Sequence, residues 1–261
     1  MWLVLFTKFI ESTLAFDFTS PLSNPLHCIF QTAKTMTPPL SALVFDAYGT
    51  LFNVHSVIAT CEVLFPGKGV ALSQLWRSKQ LEYSWLRSLM GCYVEFNQVT
   101  REGLQYACES LGLSYSQSVL ATLDKAYRTL ALFDDTLPAL QQLRHQQPDL
   151  KLAILSNGAT AMLNAVVSHN KLDLMLDAVI SVDEVKIFKP DPRVYQLACD
   201  RLGLNRDQIG FVSSNGWDAA GAKAFGFTTF WINRAAAPVE ALGVTPDRLL
   251  NSLAELPALM V

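Results

Sequence analysis

The sequence predicts an α/β fold, a Rossmann-like parallel sheet flanked by helices, with a helical subdomain inserted near its start. Three observations point there. The run Leu43-Val44-Phe45 is short and apolar and is closed by Asp46 and then Gly49, the form of a buried parallel strand bounded by turn residues. From Thr136 onward, helix-period and strand-period stretches alternate, as in βαβ units whose sheet is covered on both faces. Between the two, residues 54–133 hold no strand pattern and several helical ones.

Taken in order, the first strand is 43–45. Helical stretches follow at 57–64, 72–90, 99–111 and 116–130. In the longest of these, Leu75, Leu81, Trp85 and Leu89 recur near multiples of a helical turn, so one face is apolar. Trp76, Tyr83 and Trp85 on the same stretch read as core or subunit interface. Beyond it come a helix at 137–147, a strand at 152–155, a helix at 159–168 and a strand at 178–182. A helix at 192–202 opens on Pro192, a residue pre-organised for a first helical position. A strand at 209–212, a helix at 219–225 and a last strand at 228–232 precede a short terminal helix. This divides the chain into an α/β core (40–53 and 134–261), a helical cap subdomain (54–133) and an N-terminal extension (1–39).

Length and composition fit that division. At 261 residues the chain is long for one ordinary domain and short for two, so one core with an insertion suits it. Apolar residues make up 51% and charged residues 16%, which excludes disorder for the bulk of the chain. A net charge of −3 without a dense Lys/Arg cluster gives no electrostatic footprint for nucleic acid. A small molecule is the expected partner. Cys28, Cys61, Cys92, Cys108 and Cys199 form no CxxC pair, which argues for reduced thiols in a cytoplasmic protein. His27 beside Cys28 finds no second ligand pair, and His55, His145 and His169 are isolated, so no metal site is expected from them.

The extension is apolar at its start, but Lys8, Glu11 and Asp17 interrupt it, leaving no uncharged run long enough to span a membrane. It also lacks the basic and long apolar regions of a secretory signal. Met36 before Thr37-Pro38-Pro39 reads as an alternative translation start. Residues 1–35 are then a loosely held extension or lie outside the translated chain.

The chemistry concentrates at strand ends. Parallel strands all point one way, so polar residues that follow them converge on one sheet edge, where open α/β sheets bind ligands. Asp46, Ser156-Asn157 and the segment from Ser213 to Asp218 each follow a predicted strand, and Lys189 precedes the Pro192 helix. Simpler readings exist: Asp46 could only open an Asx-turn, and Ser156 and Ser213 could only cap helices. A helix N-terminus can nonetheless hold an anion while it is capped.

These segments resemble the haloacid dehalogenase superfamily, and most closely its L-2-haloacid dehalogenase branch. The likeness rests on Tyr48-Gly49-Thr50-Leu51-Phe52, the run from Leu75-Trp76-Arg77 to Met90, Leu155-Ser156-Asn157-Gly158, Lys189-Pro190-Asp191, and Phe211-Val212-Ser213-Ser214-Asn215 with Trp217-Asp218. It spans roughly residues 41–255, and its strength lies in the order and spacing of the motifs. Phosphatases of the superfamily carry a second Asp two residues after the nucleophile, and a Gly-Asp pair ahead of the final Asp. Here Tyr48 and Ser213-Ser214 stand in those places. Asp46 and Asp218 are balanced by Lys189 and Arg77, which leaves little for Mg²⁺, an ion that favours carboxylates and substrate phosphates.

The resemblance implies that Asp46 is a nucleophile at carbon, kept anionic by Lys189, since a nearby opposite charge favours the charged form. A pair at about 4 Å gains roughly 4 kcal/mol at an effective dielectric near 20. It implies further that Arg77, with Asn157, cradles a departing halide, for which a weakly hydrated guanidinium is suited. Ser156 would bind the substrate carboxylate together with backbone N–H groups after Asp46, at Ala47 and Tyr48. Thr50 and Asn215 would orient Asp46. Asp218 and Lys189 would activate the water that opens the ester, with Ser213, Asn215 and Tyr195 in support. Tyr48, Leu81, Phe96 and Trp217 would form the apolar wall, and Tyr195 is counted among the substrate-facing residues. Ser78 and Ala47 depart from the branch's usual Gln and bulkier apolar residue, which bears on chain-length preference and not on the chemistry.

The implied reaction is hydrolysis of L-2-haloalkanoic acids to D-2-hydroxyalkanoic acids, with no cofactor and no metal. A related hydrolase opening another carboxylate-bearing electrophile, such as a strained cyclic amino acid, is the main alternative. A Mg²⁺-dependent phosphatase ranks below it, and a silent binding module is disfavoured because the reactive positions are all filled. The expected partners are a 2-haloacid and its halide, without nucleic acid or membrane. The aromatic-rich helix from Trp76 to Met90 suggests a homodimer.

Overall fold

The computed structural model describes residues 39–260, so the expectation for residues 1–38 lies outside the described part. Six strands form one sheet in the order β3-β2-β1-β4-β5-β6, and every neighbouring pair is parallel. They are β1 (Ala42–Phe45), β2 (Lys151–Ser156), β3 (Ala178–Ser181), β4 (Ile209–Ser213), β5 (Thr228–Ile232) and β6 (Arg248–Leu250). This is the order of doubly wound folds, whose ligands bind outside the strands' carboxyl ends where the order reverses. Here the reversal falls between β1 and β4. Phe45 is in register with Ile154 on one side and Val212 on the other, so Asp46 emerges at the centre of that edge. All four residues of β1 are buried, as a strand covered on both faces requires.

Helices α1 (Ile58–Leu64), α2 (Gly69–Met90), α3 (Phe96–Ser110) and α4 (Gln117–Arg128) lie between β1 and β2. They are followed by α5 (Thr136–Gln146), and later by α6 (Thr160–His169), α7 (Pro192–Leu202) and α8 (Gly216–Phe225). The two passages between the helices and the sheet run side by side. Asn53 N donates to Ala131 O at 2.8 Å and Phe133 N to Leu51 O at 3.1 Å, with Phe52 and Leu132 as an antiparallel bridge.

Inside the helical insertion, α2 packs against α1 and α3. Trp76 is fully buried, 4.5 Å from Tyr127, and its Nε1 donates to Thr100 O at 2.7 Å. Gln80 is buried as well, with both ends of its amide used: it donates to Thr100 Oγ1 at 3.1 Å and accepts from Tyr127 OH at 3.1 Å. A buried amide without these partners would cost its desolvation. Of the aromatics expected at a core or interface, Trp76 is core. The large exposed apolar side chains of α2 are Val70, Leu86, Leu89 and Met90.

Two elements differ from the sequence expectation. The chain after β5 forms a sixth strand, and the expected terminal helix is a pair of short 3₁₀ turns, Leu253–Glu255 and Pro257–Leu259. β6 has three residues, two of them exposed, so it carries neither alternation nor an apolar run.

Candidate active site

Asp46 follows β1 directly, and its N–H donates to Val212 O at 2.9 Å, which fixes its backbone to the neighbouring strand. A tight turn follows, in which Ala47 O accepts from the N–H groups of Thr50, Leu51 and Phe52. Gly49 holds φ +94° there, a conformation that L side chains rarely adopt. The turn brings Thr50 back over the carboxylate, where its Oγ1 donates to Asp46 Oδ2 at 2.9 Å.

The loop after β4 supplies the second half. Asn215 Nδ2 donates to Asp46 Oδ2 at 2.8 Å, and Ser214 N donates to Thr50 Oγ1 at 2.8 Å. Thr50 therefore accepts from the loop and spends its own proton on Asp46. Ser213 Oγ accepts from Asn215 N at 3.1 Å, and Ser156 Oγ accepts from Gly158 N at 3.0 Å. Both serines thus make a two-residue turn ahead of a helix. They do not cap one, because the N-cap positions belong to Ala159 and Asn215.

Lys189 joins the two carboxylates. Its Nζ lies 3.2 Å from Asp46 Oδ1 and 2.9 Å from Asp218 Oδ2, and it is 1% exposed. Burial disfavours the ammonium, yet the Asp218 and Asp46 carboxylates together raise its pKa. Asn157 Oδ1 accepts from Lys189 N at 2.8 Å, so the loop after β2 fixes the lysine by its backbone.

Asp218 lies in the first turn of α8 and is fully buried. Its Oδ2 also accepts from Ser213 Oγ at 3.2 Å, and its Oδ1 from Tyr195 OH at 2.8 Å. Burial pushes its carboxyl up to about 6, against the pull of Lys189 and reinforced by the charge of Asp46. Tyr195 has no exposed surface, and its hydroxyl lies against Asp218. Burial and the neighbouring Asp218 keep its hydroxyl protonated, far above the usual tyrosine range.

From the helical side, α2 brings Arg77, whose Nη2 donates to Tyr48 O at 3.3 Å. Leu81 and Trp85 follow one and two turns later on the same helix. Phe96 stacks on Tyr48 at 6.2 Å and meets Phe188 edge-on at 6.0 Å. Trp217 meets Trp85 edge-on at 5.3 Å.

A carboxylate anchored at a sheet's carboxyl edge by a threonine, an asparagine and a buried lysine is a nucleophile's setting. A profile of haloacid dehalogenase-like hydrolases matches residues 40–226. The (S)-2-haloacid dehalogenase H-109 of Pseudomonas putida is 49% identical over 218 residues, covering 84% of this chain and 96% of that protein. The chain belongs to the haloacid dehalogenase family, in its L-2-haloacid dehalogenase branch. An (S)-2-haloacid dehalogenase of Pseudomonas sp. (strain YL) is 50% identical, with 82% of this chain and 91% of that one covered. Among solved structures, the L-2-haloacid dehalogenase of Xanthobacter autotrophicus with chloropropionic acid covalently bound is 42% identical. It superposes with a TM-score of 0.79 over 84% of this chain and 98% of that one.

The superfamily's phosphatase chemistry calls for a divalent cation, and the donor set here does not fit one. The oxygens of Asp46 already face the ammonium of Lys189 and the NH₂ of Asn215, which are donors and not ligands. Among the described residues no group of three His, Cys, Asp or Glu side chains is placed to hold a metal ion. A largely apolar cavity of about 630 Å³ adjoins this haloacid dehalogenase site. Trp85, Leu89, Phe188 and Trp217 line it, and Lys189 is the member it shares with the reacting groups.

Sequence reasoning did not single out Arg234, Asp135 or Trp85 as site residues. A signal for the first was present: Arg234 stands two residues beyond β5, at the same edge that made Asp46, Ser156 and Ser213 candidates.

Proposed function

We propose that this chain hydrolyses L-2-haloalkanoic acids to D-2-hydroxyalkanoic acids through an ester on Asp46, without a metal. The observation that carries this is the unequal use of the Asp46 oxygens. Oδ2 is pinned by Thr50 and Asn215, while Oδ1 takes a single, longer contact from Lys189. Oδ1 thus keeps a lone pair for C2 of the substrate. Attack from the side opposite the halide inverts that carbon.

Arg77 and the NH₂ of Asn157 are the groups for the departing halide; the guanidinium is always charged and weakly hydrated. Ser156 and the N–H groups at Ala47 and Tyr48 suit the substrate carboxylate, and Tyr48, Leu81, Phe96 and Trp217 the alkyl side. In the second step water attacks the ester carbonyl. Asp218 accepts its proton, with a pKa of about 6 that suits a base near neutrality, and Lys189 faces the charge that develops on the ester oxygen.

Residues 54–133 serve as a cap over a core formed by 40–53 and 134–261. The exposed Leu86, Leu89 and Met90 at the end of α2 favour a homodimer, which sedimentation velocity checks. No helix among the described residues is long and apolar enough to cross a membrane. With Cys61, Cys92, Cys108 and Cys199 as free thiols, a cytoplasmic location is consistent.

A single turnover in ¹⁸O-water with enzyme in excess tests the covalent route. The product hydroxyl comes from Asp46, so the first product is unlabelled and one heavy oxygen appears on the side chain. Labelled product in that turnover means that Asp46 activates water instead. Asp46→Asn loses nearly all halide release while it still folds, since the amide is a poor nucleophile.

A further inference from the structure

We infer that Arg234 is a positioning residue for the nucleophile, acting through Thr50 and Ser214 without touching Asp46. The inference rests on Asp46 being the attacking group. One guanidinium grips both Thr50, which donates to Asp46 Oδ2, and Ser214, which donates to Thr50. Arg234 Nη2 donates to Thr50 O at 3.2 Å, and Nη1 to Ser214 Oγ at 2.8 Å. Between those two anchor points, Ser214 N donates to Thr50 Oγ1 and Thr50 Oγ1 donates to Asp46 Oδ2. If either anchor slips, the threonine proton no longer points at the carboxylate.

Arg234 is itself held. Its Nη2 and Nε meet Asp135 Oδ1 and Oδ2 at 2.8 and 3.3 Å, a two-point contact that fixes the plane of the guanidinium. Its Cζ lies 4.1 Å from the centre of the Phe133 ring. Asp135 Oδ2 also accepts from Ser252 Oγ at 2.8 Å and Leu253 N at 2.9 Å. Phe133 and Asp135 belong to the return passage from the helical insertion, which pairs with Leu51 and Asn53. The guanidinium therefore ties three segments to one geometry: the turn after β1, the loop after β4 and the passage back from the helices. Lysine offers one point charge where this arrangement uses a fork.

The experiment is a double-mutant cycle on halide release from L-2-chloropropionate, with Arg234→Met, Thr50→Ala and the pair. Arg234→Met keeps the stem over Phe133 and should lower kcat about 10- to 100-fold, as for a nucleophile displaced by a fraction of an ångström to an ångström. KM should stay within about twofold, because no substrate contact is lost. Arg234→Lys should recover only part of the rate. In the Thr50→Ala background, Arg234→Met should cost little more, since its effect runs through the missing hydroxyl. Losses that multiply, a change in KM alone, or no change in kcat would overturn the inference.

Should Arg234→Met not fold, Ser214→Ala enters the same cycle with a smaller effect expected in the same direction. Amide exchange at Ser214, whose N–H is bound to Thr50 Oγ1, needs no turnover and reads the inference separately from the reaction. It should quicken in Arg234→Met, or in Ser214→Ala where that variant stands in, and an unchanged rate would overturn the inference. Absence of halide release by the unaltered chain would instead sink the haloacid reading and leave the exchange result to decide on Arg234.

Discussion

At the scale of single residues, the site is an arrangement of donors around two carboxylates, and its charges make it sensitive to pH. Asp218 titrates near 6 instead of at its usual value of 3.8 because burial disfavours its charge. In the proposed reaction it must be ionised to accept a proton in the hydrolytic step, which follows halide release. The rate of ester hydrolysis, and with it kcat, should therefore fall on the acid side with an apparent pKa near 6. A profile flat from pH 5 to 8 would remove Asp218 as the base. Stability moves the other way. The folded chain binds this proton more tightly than the unfolded one. The contribution is complete below about pH 3.8 and is lost as pH rises through about 6. Asp218→Asn should remove that trend from a series of melting curves. Arg77 gives a second test: if it stabilises a halide only as it departs, as proposed, its loss should lower kcat as well as kcat/KM. Arg77→Lys should not restore the full rate, because ammonium is the more strongly hydrated cation. Near-normal turnover in Arg77→Ala would mean that the halide sits elsewhere.

At the scale of elements, helices and turns place these residues by close approach. A Cβ at Gly221 on α8 would lie 2.6 Å from both Tyr195 Oη and Pro190 Cβ, so the helix rests directly on the pair that holds Asp218 and follows Lys189. Gly221→Ala should cost about 1–3 kcal/mol of stability by overpacking, with a loss of rate as Tyr195 is pushed from Asp218. Gly216→Ala on the same helix meets the flexible Glu240 side chain at 2.9 Å and should be tolerated. Equal melting temperatures for the two variants would refute this account of the packing. Helix starts were legible only to within a turn. The apolar pattern begins at Leu72, Val99 and Ala219, whereas α2, α3 and α8 begin at Gly69, Phe96 and Gly216. A first turn has free N–H groups and little need for an apolar face. In α8 that turn carries Trp217 and Asp218, so the missed turn is the functional one.

At the scale of the whole molecule, strand order decides where chemistry can occur. β1 lies between β2 and β4, so the turns after these three strands meet around Asp46, and Lys189 reaches the same point from the loop before α7. The helical insertion closes over this edge through Arg77, through Ser88, whose Oγ accepts from Phe188 N at 3.1 Å, and through Tyr93, which donates to Asp183. A site whose carboxylate oxygens already face Lys189 and Asn215 should work without added cations. Halide release should survive exhaustive chelation, and a strict Mg²⁺ requirement or efficient turnover of phosphate monoesters would sink the haloacid reading.

The sequence alone determined the fold class, the place of the helical insertion and the polar residues at three strand ends. Each of these rests on local pattern: a buried strand is a short apolar run, a helix repeats every 3.6 residues, and a strand's end is marked where the apolar run stops. β6 escaped because it is three residues long and mostly exposed. That the Tyr195 hydroxyl lies against Asp218 is not legible in the sequence, which does not distinguish a buried hydroxyl from an exposed one. Arg234 and Asp135 are 99 residues apart, with Thr50 a further 85 before Asp135, and no periodicity links them. Only tertiary structure decides which oxygen of Asp46 is pinned and which is free, because hydrogen-bond partners distant in the chain become neighbours only when the strands are laid side by side.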